Sequence, residues 1–200
     1  LGDEPGLGRH RRSGRCVATF SVFEADLLRS LAGQLIELLR SEEAVPSGAA
    51  PGSLEELEEM LEFTGPTSEP EDPVLARLFP TAYLDDDESA SDFRRFTEQT
   101  LRHGKAAAAA TVIDSLVEAG LPDEPEDGVF IDVELEPPTA ATWLRSLTDM
   151  RLAIGTRLEV EEDDEETWAA LSDDDPRSQV HDIYQWLGYL QETLVRAVTR

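Results

Sequence analysis

Two hundred residues suffice for one domain, or for one domain with a flexible insert. Hydrophobic residues make up 40% and the net charge is −26, so the expected molecule has a real core under a surface dominated by carboxylates. That charge disfavours approach to nucleic acid and anionic membranes, the lone Cys16 excludes an intramolecular disulfide framework, and no apolar run reaches the length of a membrane span.

The chain opens at Leu1–Ser13 with a Gly-rich, polar segment without periodicity. It reads as a disordered basic arm, residues 1–13, without the apolar stretch of a signal peptide, and a cytoplasmic location is expected. Residues 14–200 read as a single helical domain. Arg15 to Phe20 alternates like a short strand with Cys16, Ala18 and Phe20 on one face. Ser21 and Glu24 form a capping box, which predicts a helix through about Glu42 with Leu27, Leu28, Leu31, Leu35, Leu38 and Leu39 as its apolar stripe. Residues 43–72 read as a flexible acidic insertion: two Pro/Gly/Ser-rich linkers around a short helix opened by Ser53 and Glu56.

Asp72-Pro73 predicts an N-cap and first helical residue, with Val74, Leu75, Leu78 and Phe79 buried and Pro80 as the stop. The acidic run 85–88 suits the positive end of a helix dipole. A helix is expected from Ser89 to Arg102 with Phe93, Phe96 and Leu101 as its apolar points. Gly104 is expected to kink or break it before a second segment, Lys105–Ala119, capped by Gly120. The run Ala106–Ala110 favours helix and lets a neighbouring helix approach closely. Val129 to Leu135 alternates as a second strand, able to pair with residues 15–20 in a minor two-stranded β-ribbon. Pro137 and Pro138 end it, and Thr139 is the expected cap of a helix through Leu158 whose face carries Trp143, Leu147, Met150, Ile154 and Leu158. A last helix is expected at Arg177–Val198. The fold class is therefore mainly α, a multi-helix bundle with that ribbon.

No chemical motif stands out. His10, His103 and His181 are far apart with no His or Cys nearby, and the acidic run 159–166 lacks the glycine and spacing of a calcium loop, so no metal or cofactor is expected. Neither a nucleophile elbow nor a phosphate-binding glycine loop occurs, so no catalytic residue is assigned and the chain is read as non-enzymatic. An enzyme whose site forms only in three dimensions stays open as a second alternative. Cys16 has two readings: a redox residue whose thiolate Arg15 would favour, or a small apolar residue on the inner face of a strand. Arg9, Arg11, Arg12 and Arg15 form a basic arm that either contacts nucleic-acid phosphates or docks on the protein's own acidic surface. Arg94, Arg95, Asp149, Arg151, Arg157 and Glu192 are candidates for a structural ion-pair or recognition cluster, with Asp149 or Glu192 as partner of Arg151.

Three stretches carry a resemblance: FSVFEADLLRSLAGQLIELL at 20–39, DPVLARLFPTAY with FRRFTEQTLRHGK at 72–83 and 93–105, and the series WLR, DMRL, GTRL and WLGYLQETLV between 143 and 195. In that order they resemble an uncharacterised actinobacterial domain-of-unknown-function family, number two thousand and seventeen. A single lysine, Lys105, among 17 basic residues also looks like a GC-rich genome. Some members of the family are described as oxidative-stress transcriptional regulators that work with an RNA polymerase sigma factor, and its genes lie near those of sulphur metabolism. The resemblance implies a cytoplasmic regulatory protein acting through protein–protein interaction. Direct DNA binding through the basic arm is the first alternative. One departure matters: a thiol–disulfide switch within one chain needs two cysteines, so oxidation sensing here would require a mixed or intermolecular disulfide.

Overall fold

Ser21 sits where a strand turns directly into a helix. Its backbone N–H and hydroxyl both donate to Glu24 Oε2 at 2.8 Å, and the Glu24 N–H returns a bond to Ser21 Oγ at 3.3 Å, closing the expected capping box. The structure is a computed structural model that describes residues 7–9, 14–41, 65–161, 164, 167–168, 170–172 and 174–199. In chain order the described elements are β1 (Gly8–Arg9), β2 (Cys16–Ser21), α1 (Val22–Ser41), α2 (Pro73–Leu78), α3 (Asp87–Glu118), β3 (Phe130–Leu135), α4 (Pro137–Arg157) and α5 (Pro176–Thr199). The helix and linkers expected within 42–64 lie outside the described residues, as do the side chains of the basic arm at 9–13.

β2 and β3 pair antiparallel, Cys16 opposite Leu135 and Ser21 opposite Phe130, so the ribbon forms as the alternation predicts. Cys16, Ala18 and Phe20 turn inward with Ile131, Val133 and Leu135. The sheet is wider than expected. Gly8–Arg9 adds an edge strand to β2, Leu7 is buried beside it, and the Leu7 N–H donates to Thr193 Oγ1 of α5 at 3.2 Å. Residues 7–9, assigned from sequence to the disordered arm, are thus tied into the fold. A backbone edge recruits a strand through its N–H and C=O groups, and a two-residue pairing leaves no periodicity to read.

The helices enclose the core. α3 lies between α1 and α4, α2 packs on α4, and α5 packs on α4 and reaches β1. Val22, Ala25, Leu28, Ala32, Leu35 and Leu39 are the buried stripe of α1; Leu27, Leu31 and Leu38 flank it, half-buried. Ala108 and Ala109 of the alanine run are buried in α3. Trp143 fills the centre, its ring stacked 6.4 Å from Phe20 and its Nε1–H donating to Ser115 Oγ at 3.2 Å.

Two helix expectations are corrected. α3 is unbroken from Asp87 to Glu118, and Gly104 passes through it on the exposed side. One weak residue costs only about 1 kcal/mol in a 32-residue helix packed on two neighbours. α4 begins at Pro137 with Glu136 as N-cap, so the two prolines open the helix rather than precede it, and Thr139 lies inside its first turn. Proline suits that position because its missing N–H is one the first turn leaves unpaired.

Candidate functional site

The first half of α3 reverses the face expected of it. Phe93, Phe96 and Leu101 point outward, Phe96 with 65% exposure. Arg94, Glu98 and Arg102, spaced four apart, occupy the buried side instead. Arg94 Nη1 donates to Glu98 Oε2 at 2.6 Å, and Arg102 Nη2 and Nε donate to Glu98 Oε1 at 2.7 and 2.9 Å. Both guanidiniums also close the ends of other helices. Arg94 donates to the carbonyl of Phe79, the C-cap residue of α2, at 3.2 Å from both terminal nitrogens, and Arg102 donates to the carbonyl of Leu39 in the last turn of α1 at 3.0 Å. Helix ends leave such carbonyls unpaired and carry a partial negative charge, which two buried cations satisfy. The Arg102 guanidinium further lies 4.8 Å from the centre of the Phe79 ring.

With charge on the inside, apolar side chains remain on the outside. Tyr83 and Phe93 meet edge-on at 5.9 Å, and Leu84 is 85% exposed. A groove of about 290 Å³ runs between residues 78–82 and α3, walled by Leu78, Phe79, Phe93 and Leu101. Asp85, Asp86, Asp87, Glu88 and Asp92 stand exposed around its end. Asp86 is held below the usual carboxylate range by the hydroxyl and N–H of Ser89, which it accepts as the N-cap of α3. The result is an apolar face with an acidic rim.

The other residues singled out from sequence do not form one cluster. Asp149 accepts from Lys105 Nζ at 2.7 Å, linking α4 to α3. Glu192 pairs with Arg196 one turn along α5. Arg157 pairs with Asp72 at 2.5 Å. Burial raises the Asp72 pKa, but Arg157 and the N–H groups of Val74 and Leu75 outweigh it and leave the group below its ordinary value. Arg95 lies 5.6 Å from the Phe96 ring centre, its Nε buried without an acceptor among the described residues. Arg15 bonds Glu134 at 2.9 Å and Glu136 at 2.6 Å on the neighbouring strand and its end, and these partners raise its pKa. Arg15 therefore engages the protein's own carboxylates; Arg11 and Arg12 lie outside the described residues, and Arg9 is described only as backbone. Cys16 is 2% exposed under the β-sheet. No group of three metal-ligating side chains comes together among the described residues.

Arg151 has neither of its expected partners. It lies 4.6 Å from the centre of the Tyr184 ring on α5 and lines a cleft of about 480 Å³ with Arg77, Glu159 and Glu161.

The sequence pattern of the family described as Domain of unknown function (DUF2017) matches residues 7–198. A protein of Mycobacterium leprae, whose name gives it provisionally as an oxidative stress regulator, AosR, is 33% identical over 189 residues, 88% of this chain and 78% of its own length. The oxidative stress regulator AosR of Mycobacterium tuberculosis strain H37Rv is 32% identical over 199 residues, 92% of this chain and 83% of its own. The protein of the same name from Mycobacterium bovis gives the same values. No solved structure matches the chain.

Proposed function

Because the chain belongs to the family described as Domain of unknown function (DUF2017), we propose that it is a non-enzymatic regulator in the response to oxidative stress, acting by binding another protein. The observation that carries the binding mode is the outer face of α3. Phe93, Phe96 and Leu101 of α3, and Tyr83 and Leu84 just before it, are exposed, with Tyr83 against Phe93, while the same stretch of helix buries three charges. Aromatic centres with polar rims are what protein interfaces use, and large exposed apolar patches mark such sites. The acidic rim selects a partner with basic residues around an apolar centre. The names of the relatives support the regulatory setting.

The finer reading places this partner in the transcription machinery, with an RNA polymerase sigma factor as the first candidate from the family resemblance. Thiol sensing is not required of this chain. Cys16 is its single cysteine and is buried, so an oxidation signal would reach it through a partner or through an intermolecular disulfide formed after local opening.

Affinity capture from native extract, run under reducing and oxidising conditions, tests the reading. A stoichiometric partner whose recovery falls with added salt is expected. Recovery of no stoichiometric partner under either condition would remove it.

A further inference from the structure

The cleft beside Arg151 is a second place where charge is left open. The ion pairs of the described residues take up Arg15, Arg29, Arg94, Arg102, Arg157, Arg177 and Arg196, but neither Arg77 nor Arg151. On the same walls Glu159 and Glu161 have no cationic partner among the described residues. Two arginines and two glutamates thus share one cleft of about 480 Å³ without pairing with each other. Arg40, Arg95 and Arg145 also stand outside the ion pairs of the described residues; Arg77 and Arg151 are the two of this group that line the cleft.

Two glycines make the room. A Cβ at Gly188 would come within 3.2 Å of the Arg151 guanidinium, and one at Gly155 within 3.1 Å of the Tyr184 ring. The packed Arg151–Tyr184 pair therefore needs a bare backbone on both α4 and α5. The Arg151 guanidinium lies over the Tyr184 ring, while Arg151 Nε is buried with no acceptor among the described residues. The opposite wall breaks a local rule as well. α4 ends in a Schellman turn, Val160 N–H to Gly155 O at 3.0 Å and Glu159 N–H to Thr156 O at 3.2 Å, and the left-handed position that favours glycine is held by Glu159 at φ 54°. A side chain there costs roughly 1 kcal/mol, and Glu159 lines the same cleft as Arg151.

The geometry points to a binding site for a small zwitterion of the amino-acid class, its carboxylate on Arg151 and Arg77 and its ammonium against Glu159 and Glu161. The planar guanidinium suits a carboxylate bidentately. The cleft volume falls in the range of small-molecule sites, about 300–1,000 Å³. A cleft lined by both signs of charge, with no ion pair between them among the described residues, offers a carboxylate and an ammonium a partner each. The site is separate from the outer face of α3, and its occupancy does not depend on a protein partner.

Calorimetric titration of the purified chain with each of the twenty amino acids tests this. Methyl esters and N-acetyl derivatives of any binder, together with succinate and inorganic phosphate, complete the set. Saturable binding of at least one free amino acid is expected, weakened at least tenfold in both blocked forms. Arg77→Gln and Glu161→Gln alter exposed, unpaired side chains and are expected to fold normally; each should weaken binding at least fivefold. Gly188→Ala should weaken it further by displacing Arg151. Absence of saturable binding by all twenty would overturn the assignment. So would equal binding of a blocked form, of succinate or of phosphate, or full affinity in both exposed-site variants.

Discussion

Glu98 is the residue on which the interior of α3 depends. It is 2% exposed and neutralises two buried guanidiniums at once. A buried pair repays its desolvation only when its geometry and remaining hydrogen bonds are satisfied, and here the carbonyls of Phe79 and Leu39 also accept from the two guanidiniums. Glu98→Gln keeps the shape but removes the carboxylate that the two buried guanidiniums share. Urea unfolding should show a loss of about 3–5 kcal/mol, the range for breaking one side of a buried ion pair. The exposed pairs behave differently. Asp72 has a folded pKa below its unfolded value, so its stabilisation is present above the ordinary carboxylate range and is lost as pH falls through the folded value. Asp175, lowered to about 2 by the side chain and N–H of Arg177, follows the same sign over a window reaching down to about pH 2. Arg157 is half exposed, so Arg157→Gln should lower stability at pH 7 by no more than about 1 kcal/mol. That difference from the unaltered chain should shrink as the titration is taken below about pH 4. The triad was written in the sequence as R-x-x-x-E-x-x-x-R, a charge pattern that can stabilise either an exposed or a buried helix face. Apolar periodicity pointed to Phe93, Phe96 and Leu101 as the inner face. The choice depends on where the carbonyls of Leu39 and Phe79 come to lie, which is tertiary information.

At the scale of elements, what local chemistry dictates was legible. The capping box at Ser21 and Glu24, the Asp72-Pro73 start of α2 and the alternation of β2 and β3 each follow from residues within a turn or two. The unbroken course of α3 was not legible, because Gly104 has a poor intrinsic propensity and only packing on both sides of it decides the outcome. A Cβ at Gly104 would meet nothing within 4 Å. Gly104→Ala should therefore stabilise the protein by about 0.5–1 kcal/mol in thermal or urea unfolding. A loss of stability would mean that the helix is not continuous there. β1 was missed because two residues present no pattern, and the open cleft at Arg151 because unpaired charge is a property of neighbours in space rather than in sequence. The hint that did exist was the acidic residue just past the end of α4, where a glycine would be ordinary.

At the scale of the molecule, charge decides what can approach. With −26 overall and Arg15 engaged by Glu134 and Glu136, the purified chain should not retain a promoter fragment in a mobility-shift assay even at low salt. Salt-sensitive retention would instead support the basic arm as a DNA contact. The same field favours basic protein surfaces, and in the proposed docking mode the apolar face on α3 supplies the contact area that charge alone does not. Among the described residues no helix is long and apolar enough to cross a membrane, so the face is not part of a helical span. The measurement closest to the central claim is the affinity of the captured partner for the chain carrying Phe93→Ser and Phe96→Ser together. Both rings are exposed, so the variant should keep the melting temperature of the unaltered chain while its Kd for the partner rises at least tenfold. An unchanged Kd in a variant that folds normally would contradict the claim that the outer face of α3 is where this protein docks.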